Sequence, residues 1–176
     1  MNKKECTLLC GLIILFAISR LIPHPWNITP IGALLIFSGA YLSRNKLYML
    51  SVLSIIIGDI IAGFNAPLVM IFVYLGFITS AMIGNGLLKT KRSVNRLGLA
   101  VVSAAMVFYM LSNFGMWLGY YPQTVDGLLL CYLNGLPYLA KSLLGDAFYA
   151  IIIFGAFQYY LSFEAQQNNT SNNAKA

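Results

Sequence analysis

The chain has 176 residues, of which 59% are hydrophobic and 9% are charged, and its formal net charge is +6. A soluble domain carries charges on about 25% of its residues, so this composition excludes a water-soluble globular protein. The basic residues lie in short segments between long apolar runs, which favours a role in membrane topology over nucleic-acid binding. We therefore predict an all-α integral membrane protein with a single transmembrane domain over residues 1–163.

Six apolar segments predict a bundle of six transmembrane helices. A helix needs about 20 apolar residues to cross the hydrocarbon core of a bilayer. The second segment opens with Pro30 and is shorter than this, so it is predicted to tilt or to be flanked by a thinned bilayer. In chain order the predicted spans are about 6–22, 30–43, 47–64, 67–88, 97–118 and 142–163.

Two further segments are predicted not to cross the membrane. Residues 119–141 are polar at first and then apolar, and Gly135 and Pro137 interrupt the apolar part. The apolar part, GLLLCYLNGLPYLA, is too short to span and is predicted to be an interfacial or re-entrant segment. The polar, Asn-rich tail, residues 164–176, is predicted to be disordered.

Small residues recur at every fourth position in two of the predicted spans. They are Ser54, Gly58 and Ala62 in the third span, and Gly76, Ser80 and Gly84 in the fourth. Small side chains let helix backbones approach closely in lipid. These faces are therefore predicted to pack inside the bundle, the alternative being a docking face for another membrane subunit.

The distribution of basic residues predicts the orientation. If the N-terminus is cytoplasmic, nine Lys and Arg residues fall on the cytoplasmic side, and Arg20 and Lys141 fall on the other. Cytoplasmic loops of membrane proteins are enriched in Lys and Arg. We therefore predict a multi-pass protein of the inner membrane with both termini in the cytoplasm.

The conspicuous polar and aromatic side chains fall on the predicted outer side. Several belong to or border the stretch SNFGMWLGYYPQT (112–124), and Asp146 is expected about one turn into the last span. A charge at the centre of a bilayer costs about 2.5–3.5 kcal/mol, so buried charges here need partners or water. The candidate site residues are Arg20, Asn27, Asp59, Asn113, Trp117, Tyr120 and Asp146.

Two interpretations of this outer polar cluster stay open. Arg20 could pair with Asp59 or Asp146, with Lys141 as a further member, and simply hold the helices together. Alternatively, the same groups could line a polar cavity that opens to the outside. The aromatic side chains have an equally simple explanation, because Trp and Tyr gather at membrane interfaces. Asn113 is expected to face the bundle interior, where its amide can find hydrogen-bond partners.

No enzyme motif is present. The sequence lacks GxSxG, HExxH and a phosphate-binding loop, and its three cysteines do not cluster with His24. We predict no catalytic residue, no metal site and no cofactor. A membrane enzyme that uses Asp59 or Asp146 as an acid or base is a remaining alternative.

Three stretches resemble a bacterial family of uncharacterised six-span membrane proteins. They are RLIPHPWNITPIGALLIFSGAYL (20–42), GDIIAG (58–63) and SNFGMWLGYYPQTVDGLLLCYLNGLPYLAKSLLGDAFYAIIIFG (112–155). That family is considered related to the substrate-binding S components of energy-coupling-factor transporters. The resemblance implies a six-helix bundle that binds a small molecule beneath the outer loops after spans one, three and five.

The resemblance leaves the partners of the chain open. S components often carry an AxxxA pattern on their first span, which docks the membrane coupling subunit. Here that span offers only Cys6 and Cys10 at this spacing. A membrane coupling subunit with its ATPases, a different partner, or solitary action all remain possible.

The sequence as a whole predicts a membrane protein that binds or takes up a small molecule from the outer side. Arg20, Asp59 and Asp146 would supply charge, Asn27 and Asn113 hydrogen bonds, and Trp117 or Tyr120 a stacking face. The expected partners are the lipid bilayer and this ligand, with no nucleic acid. The alternative is a structural or assembly protein whose outer polar cluster only stabilises the bundle.

Overall fold

The computed structural model describes residues 11, 14–15, 28–43, 45–46, 53, 56, 60 and 66–173. The regular structure of these residues is entirely helical. Within the continuous described ranges 28–43 and 66–173, four helices follow one another: α1 (Ile31–Tyr41), α2 (Pro67–Leu88), α3 (Val94–Tyr120) and α4 (Val125–Asn173).

Three of these helices are long and apolar enough to cross a membrane. They are α2, with 22 residues, α3, with 27, and the part of α4 from Val125 to Gln167, with 43. Helices of this length and composition are those of a membrane protein. The predicted count of six spans is not supported, because the described residues form a bundle of four helices of which three have spanning length. Most of the spans predicted at 6–22 and 47–64 lies outside the described residues.

The structure differs from the prediction most clearly in α4. One continuous helix covers both the expected interfacial segment and the last span, and it continues to Asn173 over much of the expected disordered tail. Pro137 lies inside it, and a proline removes one helical hydrogen bond. The helix also contacts α3 close to this proline: the Tyr109 hydroxyl donates to the Tyr132 carbonyl at 2.6 Å, and the Tyr132 hydroxyl donates to the Met110 carbonyl at 2.8 Å.

The chain reversals define two ends of the bundle. Residues 89–93 join α2 to α3 at one end, here called the Arg92 end. Residues 121–124 join α3 to α4 at the other, here called the Tyr121 end. Ser93 starts α3 as its N-cap, since its side chain accepts the backbone N–H of Arg96 at 3.4 Å.

Helix α1 forms the centre of the core. Nine of its eleven residues are buried, because it is apolar on every face and packs against α2, α3 and α4. Its length of about 16 Å is roughly half the thickness of a hydrocarbon core. The short second segment of the sequence is therefore an internal helix of the described bundle, with each end met by polar side chains.

Glycines allow α1 and α2 to cross with their backbones in contact. A Cβ on Gly84 would overlap the backbone of Ile36, and one on Gly39 would overlap the backbone of Ala81. Asn85 fixes this crossing, since its Nδ2 donates to the Gly39 carbonyl at 3.0 Å. The small-residue face predicted for this span is buried, as expected: Gly76, Ser80 and Gly84 all lie in the interior.

Candidate functional site

The first turn of α1 lies inside the bundle and meets a carboxylate. The first N–H groups of a helix have no partner within the helix and form the positive end of its dipole. Here the backbone N–H of Ala33 donates to the Asp146 carboxylate, and the N–H of Ile31 donates to the Thr29 hydroxyl at 3.4 Å. Asp146 is only 9% exposed. It lies so close to Gly32 that a Cβ there would overlap its carboxylate.

Asp146 lies near the middle of the long helix α4. Because α4 begins at Val125, Asp146 is about 30 Å along this helix. It shares a cavity with Phe77 and Ala104. Phe77 is about 15 Å along α2 from Pro67, so this carboxylate lies in the interior of the bundle.

A cavity of about 140 Å³, here called the lower cavity, opens beside this carboxylate. Among the described residues its polar lining includes the Asp146 carboxylate and the hydroxyls of Thr29, Ser80 and Ser142. The phenyl rings of Phe77 and Phe108 also line it, and they stack with centroids 5.1 Å apart and an interplanar angle of 19°. The described part of the lower cavity therefore combines an acid, hydroxyl groups and aromatic rings.

A larger cavity of about 860 Å³, here called the upper cavity, extends toward the Tyr121 end. Its polar and aromatic lining includes Ser112, Asn113, Tyr121, Asn134, Tyr138 and Lys141. Ala105, Phe108 and Ser142 line both cavities, so the two spaces adjoin.

Asn113 faces the bundle interior, as its polar side chain within an apolar span predicts. Its Nδ2 donates to the Tyr109 carbonyl at 2.9 Å, and its backbone carbonyl accepts from the Cys131 thiol at 3.3 Å. The amide packs directly on Gly135, where a Cβ would overlap it. Asn113 thus lines the upper cavity at the contact between α3 and α4.

Trp117 and Tyr120 lie outside both cavities and hold the turn at the Tyr121 end. The indole N–H of Trp117 donates to the Pro122 carbonyl at 2.9 Å, and Gln123 Nε2 donates to the Trp117 carbonyl at 2.9 Å. Tyr120 is 58% exposed, and its hydroxyl accepts the backbone N–H of Ala66 at 3.4 Å. Trp117 and Gln123 of the stretch SNFGMWLGYYPQT (112–124) therefore bind the backbone of this turn, and Tyr120 joins the end of α3 to the start of α2.

The structure brings together part of the predicted cluster. Asn113 and Asp146 line adjoining cavities. Arg20, Asn27 and Asp59 lie outside the described residues, and with them the predicted ion pairs of Arg20. Over the described part of the chain, no three His, Cys, Asp or Glu side chains come together as a metal site would require.

Several lining residues escaped the sequence analysis. Ser142 had a usable signal, because it precedes Asp146 by four residues and so shares its helix face. No sequence signal distinguishes Thr29, Ser80, Phe77 and Phe108 from ordinary packing residues. Their role depends on how α1, α2 and α3 meet.

Comparison with known proteins places the chain in a family. No curated protein and no solved structure matches it. The profile of a family of unknown function, DUF6580, matches residues 1–169, nearly the whole chain, in agreement with the resemblance to an uncharacterised family. The chain therefore belongs to the family of unknown function DUF6580.

Proposed function

We propose that the protein binds a small polar molecule inside its helix bundle and takes part in its uptake, in the manner of an S component. The observation that supports this proposal most strongly is the pair of adjoining cavities with Asp146 at the inner one. Ligand sites are typically concave, largely apolar and fitted with a few polar groups. The upper cavity, at about 860 Å³, lies within the usual range of about 300–1,000 Å³ for such sites.

The position of Asp146 favours binding over a purely structural role. Protein interiors are close-packed, with few voids larger than a water molecule. A carboxylate that served only to cap α1 would need the N–H of Ala33 and tight packing around it. Instead, a cavity of about 140 Å³ with hydroxyl groups adjoins it. A water molecule occupies about 30 Å³ in the liquid, so the lower cavity has room for a small polar group.

The proposed topology has six spans in the inner membrane, with both termini and the Arg92 end in the cytoplasm. The basic residues of this end support that orientation, namely Lys89, Lys91, Arg92 and Arg96. The upper cavity then lies toward the outer face, and ligand enters from that side. A membrane coupling subunit with its ATPases would supply energy, and a solitary carrier is the alternative.

A structural or assembly role is the second candidate, and it too has a supporting observation. Asp146 meets the N-terminal end of α1, and Arg92 meets its C-terminal end, where Nη2 donates to the Ala40 carbonyl at 2.9 Å. Both charges complement the helix dipole. On this view the polar groups hold the buried helix in place and the cavities have no ligand.

Mass spectrometry of small molecules that co-purify with the protein in detergent tests the proposal. We expect one recurring species with the wild-type protein, lost in Asp146→Asn and retained in Asp126→Asn. Asp126 is a matched control, since it is an exposed carboxylate on the same helix. A wild-type preparation that is stable and carries no recurring species would support the structural candidate instead.

Labelling of single cysteines tests the orientation independently. In a background without the native cysteines, Gln123→Cys at the Tyr121 end should react with a membrane-impermeant maleimide added to intact cells. Lys91→Cys at the Arg92 end should react only after the cells are opened. The reverse pattern would refute entry of ligand from the outer side.

A further inference from the structure

The lower cavity has the composition of a site for a cationic group. The Asp146 carboxylate accepts one N–H from Ala33, and a carboxylate has room for further hydrogen bonds on its two oxygens. The phenyl rings of Phe77 and Phe108 line the same space, and aromatic faces attract cations electrostatically. An anionic group in this cavity would instead be repelled by the buried carboxylate.

The upper cavity contains a positive charge of its own. Lys141 lines it, and its Nζ lies 5.9 Å from the centroid of the Tyr138 ring. The amides of Asn113 and Asn134 line the same cavity. A carboxylate or phosphate group fits here, because an ammonium ion and amide N–H groups are all donors.

The two charged residues lie on one helix at different heights along its axis. Lys141 precedes Asp146 by five residues, which corresponds to a rise of about 7.5 Å along α4. A simple organic cation would be repelled by Lys141 and a simple anion by Asp146. A molecule with both charges on neighbouring atoms could satisfy only one of the two side chains.

We propose that the ligand is dipolar, with a cationic nitrogen group in the lower cavity beside Asp146 and an anionic group in the upper cavity beside Lys141. The two charges of the ligand are separated by several bonds. This inference rests on the proposed function and names the chemical class of its ligand. The apolar walls that both cavities share, formed by Ala105 and Phe108, accommodate the uncharged part between the charges.

Four probe molecules of similar size distinguish the effect of charge on binding from the effect of the distance between the charges. ε-Aminocaproate carries an ammonium and a carboxylate at opposite ends of its chain. Norleucine is its isomer, with both charges on one carbon atom, while n-hexylamine and hexanoate each keep one of the charges. Binding to the detergent-purified protein is measured from the rise in its thermal-unfolding midpoint with probe concentration. We expect ε-aminocaproate to bind at least about tenfold more tightly than each of the other three.

Two variants show which side chain binds each charged end of ε-aminocaproate. In Lys141→Gln, ε-aminocaproate should no longer bind more tightly than n-hexylamine. In Asp146→Asn, it should no longer bind more tightly than hexanoate. Asp126→Asn and Lys91→Gln are the matched controls, because they replace an exposed carboxylate and an exposed ammonium group. Both variants should bind the four probes in the same order of affinity as the wild-type protein. Lys141 is exposed, so Lys141→Gln is expected to fold. It therefore tests the proposal even if Asp146→Asn does not fold.

The outcomes separate this inference from the proposed function. Equal or tighter binding of norleucine, n-hexylamine or hexanoate overturns the dipolar class, as does the absence of binding by all four probes. A co-purified species that is neutral or carries charge of one sign overturns it too, while leaving the proposed function intact. The absence of any co-purified species counts against the proposed function itself.

Discussion

Asp146 of α4 lies against Gly32 in the first turn of α1, and no side chain separates the carboxylate from the helix backbone. The contact places a negative charge at the positive end of a helix dipole. At the opposite end of α1, Arg92 donates to the Ala40 carbonyl and lies 4.3 Å from the centroid of the Tyr41 ring. Among the described residues, a charged side chain thus meets each end of this short, largely apolar helix.

Gly32→Ala tests the first of these contacts. The added methyl group would overlap the carboxylate of Asp146, so α1 and α4 must separate or the carboxylate must turn away from Ala33. Overpacking of a well-packed interior costs about 1–3 kcal/mol. We expect a lower thermal-unfolding midpoint in detergent, together with loss of the co-purified ligand.

Gly155→Ala is the control for this variant. Gly155 lies in α4, and a Cβ there has no neighbouring atom within 4 Å. Alanine is favoured over glycine within a helix by about 1 kcal/mol, so the midpoint should stay the same or rise. A similar drop in both variants would show that the contact between Gly32 and Asp146 has no special importance.

Arg92→Gln tests the other end of α1. The variant removes a charged donor from the Ala40 carbonyl and the cation from the Tyr41 ring. Arg92 is exposed, and a charge near a helix end contributes about 0.3–1 kcal/mol. The thermal-unfolding midpoint should fall modestly and ligand binding should persist, because Arg92 is remote from both cavities.

Lys91→Gln provides the matched comparison for Arg92. Lys91 is an exposed neighbour with the same charge, so its substitution reports the effect of charge alone. We expect little change in the midpoint. If the two variants lose equal stability, the capping contact of Arg92 does not stabilise α1.

Asn113 and Trp117 are predicted to differ in function although they are one helical turn apart. Asn113→Leu removes an amide from the upper cavity and should lower the affinity for the co-purified ligand by about tenfold. Trp117→Phe removes the N–H that donates to Pro122. It should cost about 1 kcal/mol of stability and leave the affinity unchanged. Quantitative mass spectrometry and thermal unfolding of both variants distinguish the two effects, and a loss of ligand only in the Trp117 variant would reverse the assignment.

The sequence predicted those features that depend on local spacing. The small-residue face of α2 follows from a repeat of four residues, and the inward orientation of Asn113 follows from the cost of an unpaired amide in lipid. The continuity of α4 could not be predicted, because Gly135 and Pro137 are local helix breakers. This region packs on α3, and that packing depends on residues distant in sequence.

The start of the last helix could not be predicted for the same reason. The sequence predicts a last span that begins at about residue 142, whereas α4 begins at Val125. The lower cavity was equally inaccessible to sequence reasoning. Its hydroxyl and phenyl groups come from three different helices and from Thr29, two residues before α1, and only the arrangement of these elements brings them together.

Tyr109 and Tyr132 are predicted to stabilise the contact between α3 and α4 as a pair. Each hydroxyl donates to a backbone carbonyl of the opposite helix, and the two rings meet edge to face with centroids 5.6 Å apart. Hydrogen bonds between helices in membranes are worth about 0.6 kcal/mol on average. Tyr109→Phe and Tyr132→Phe should therefore each lower stability by about this amount, since the rings remain and only the hydroxyls are lost.

A double-mutant cycle tests whether the two hydroxyl groups act together. The carbonyl that accepts from Tyr109 belongs to Tyr132, and the carbonyl that accepts from Tyr132 belongs to Met110, the residue after Tyr109. The two contacts therefore lie within one helical turn of each other, and loss of one hydrogen bond should loosen the other. We expect the double variant to lose less stability than the two single variants combined. Tyr159→Phe, at a position 74% exposed, should have no effect. Strict additivity would mean that the two hydrogen bonds are independent, and that the ring packing alone joins this part of α4 to α3.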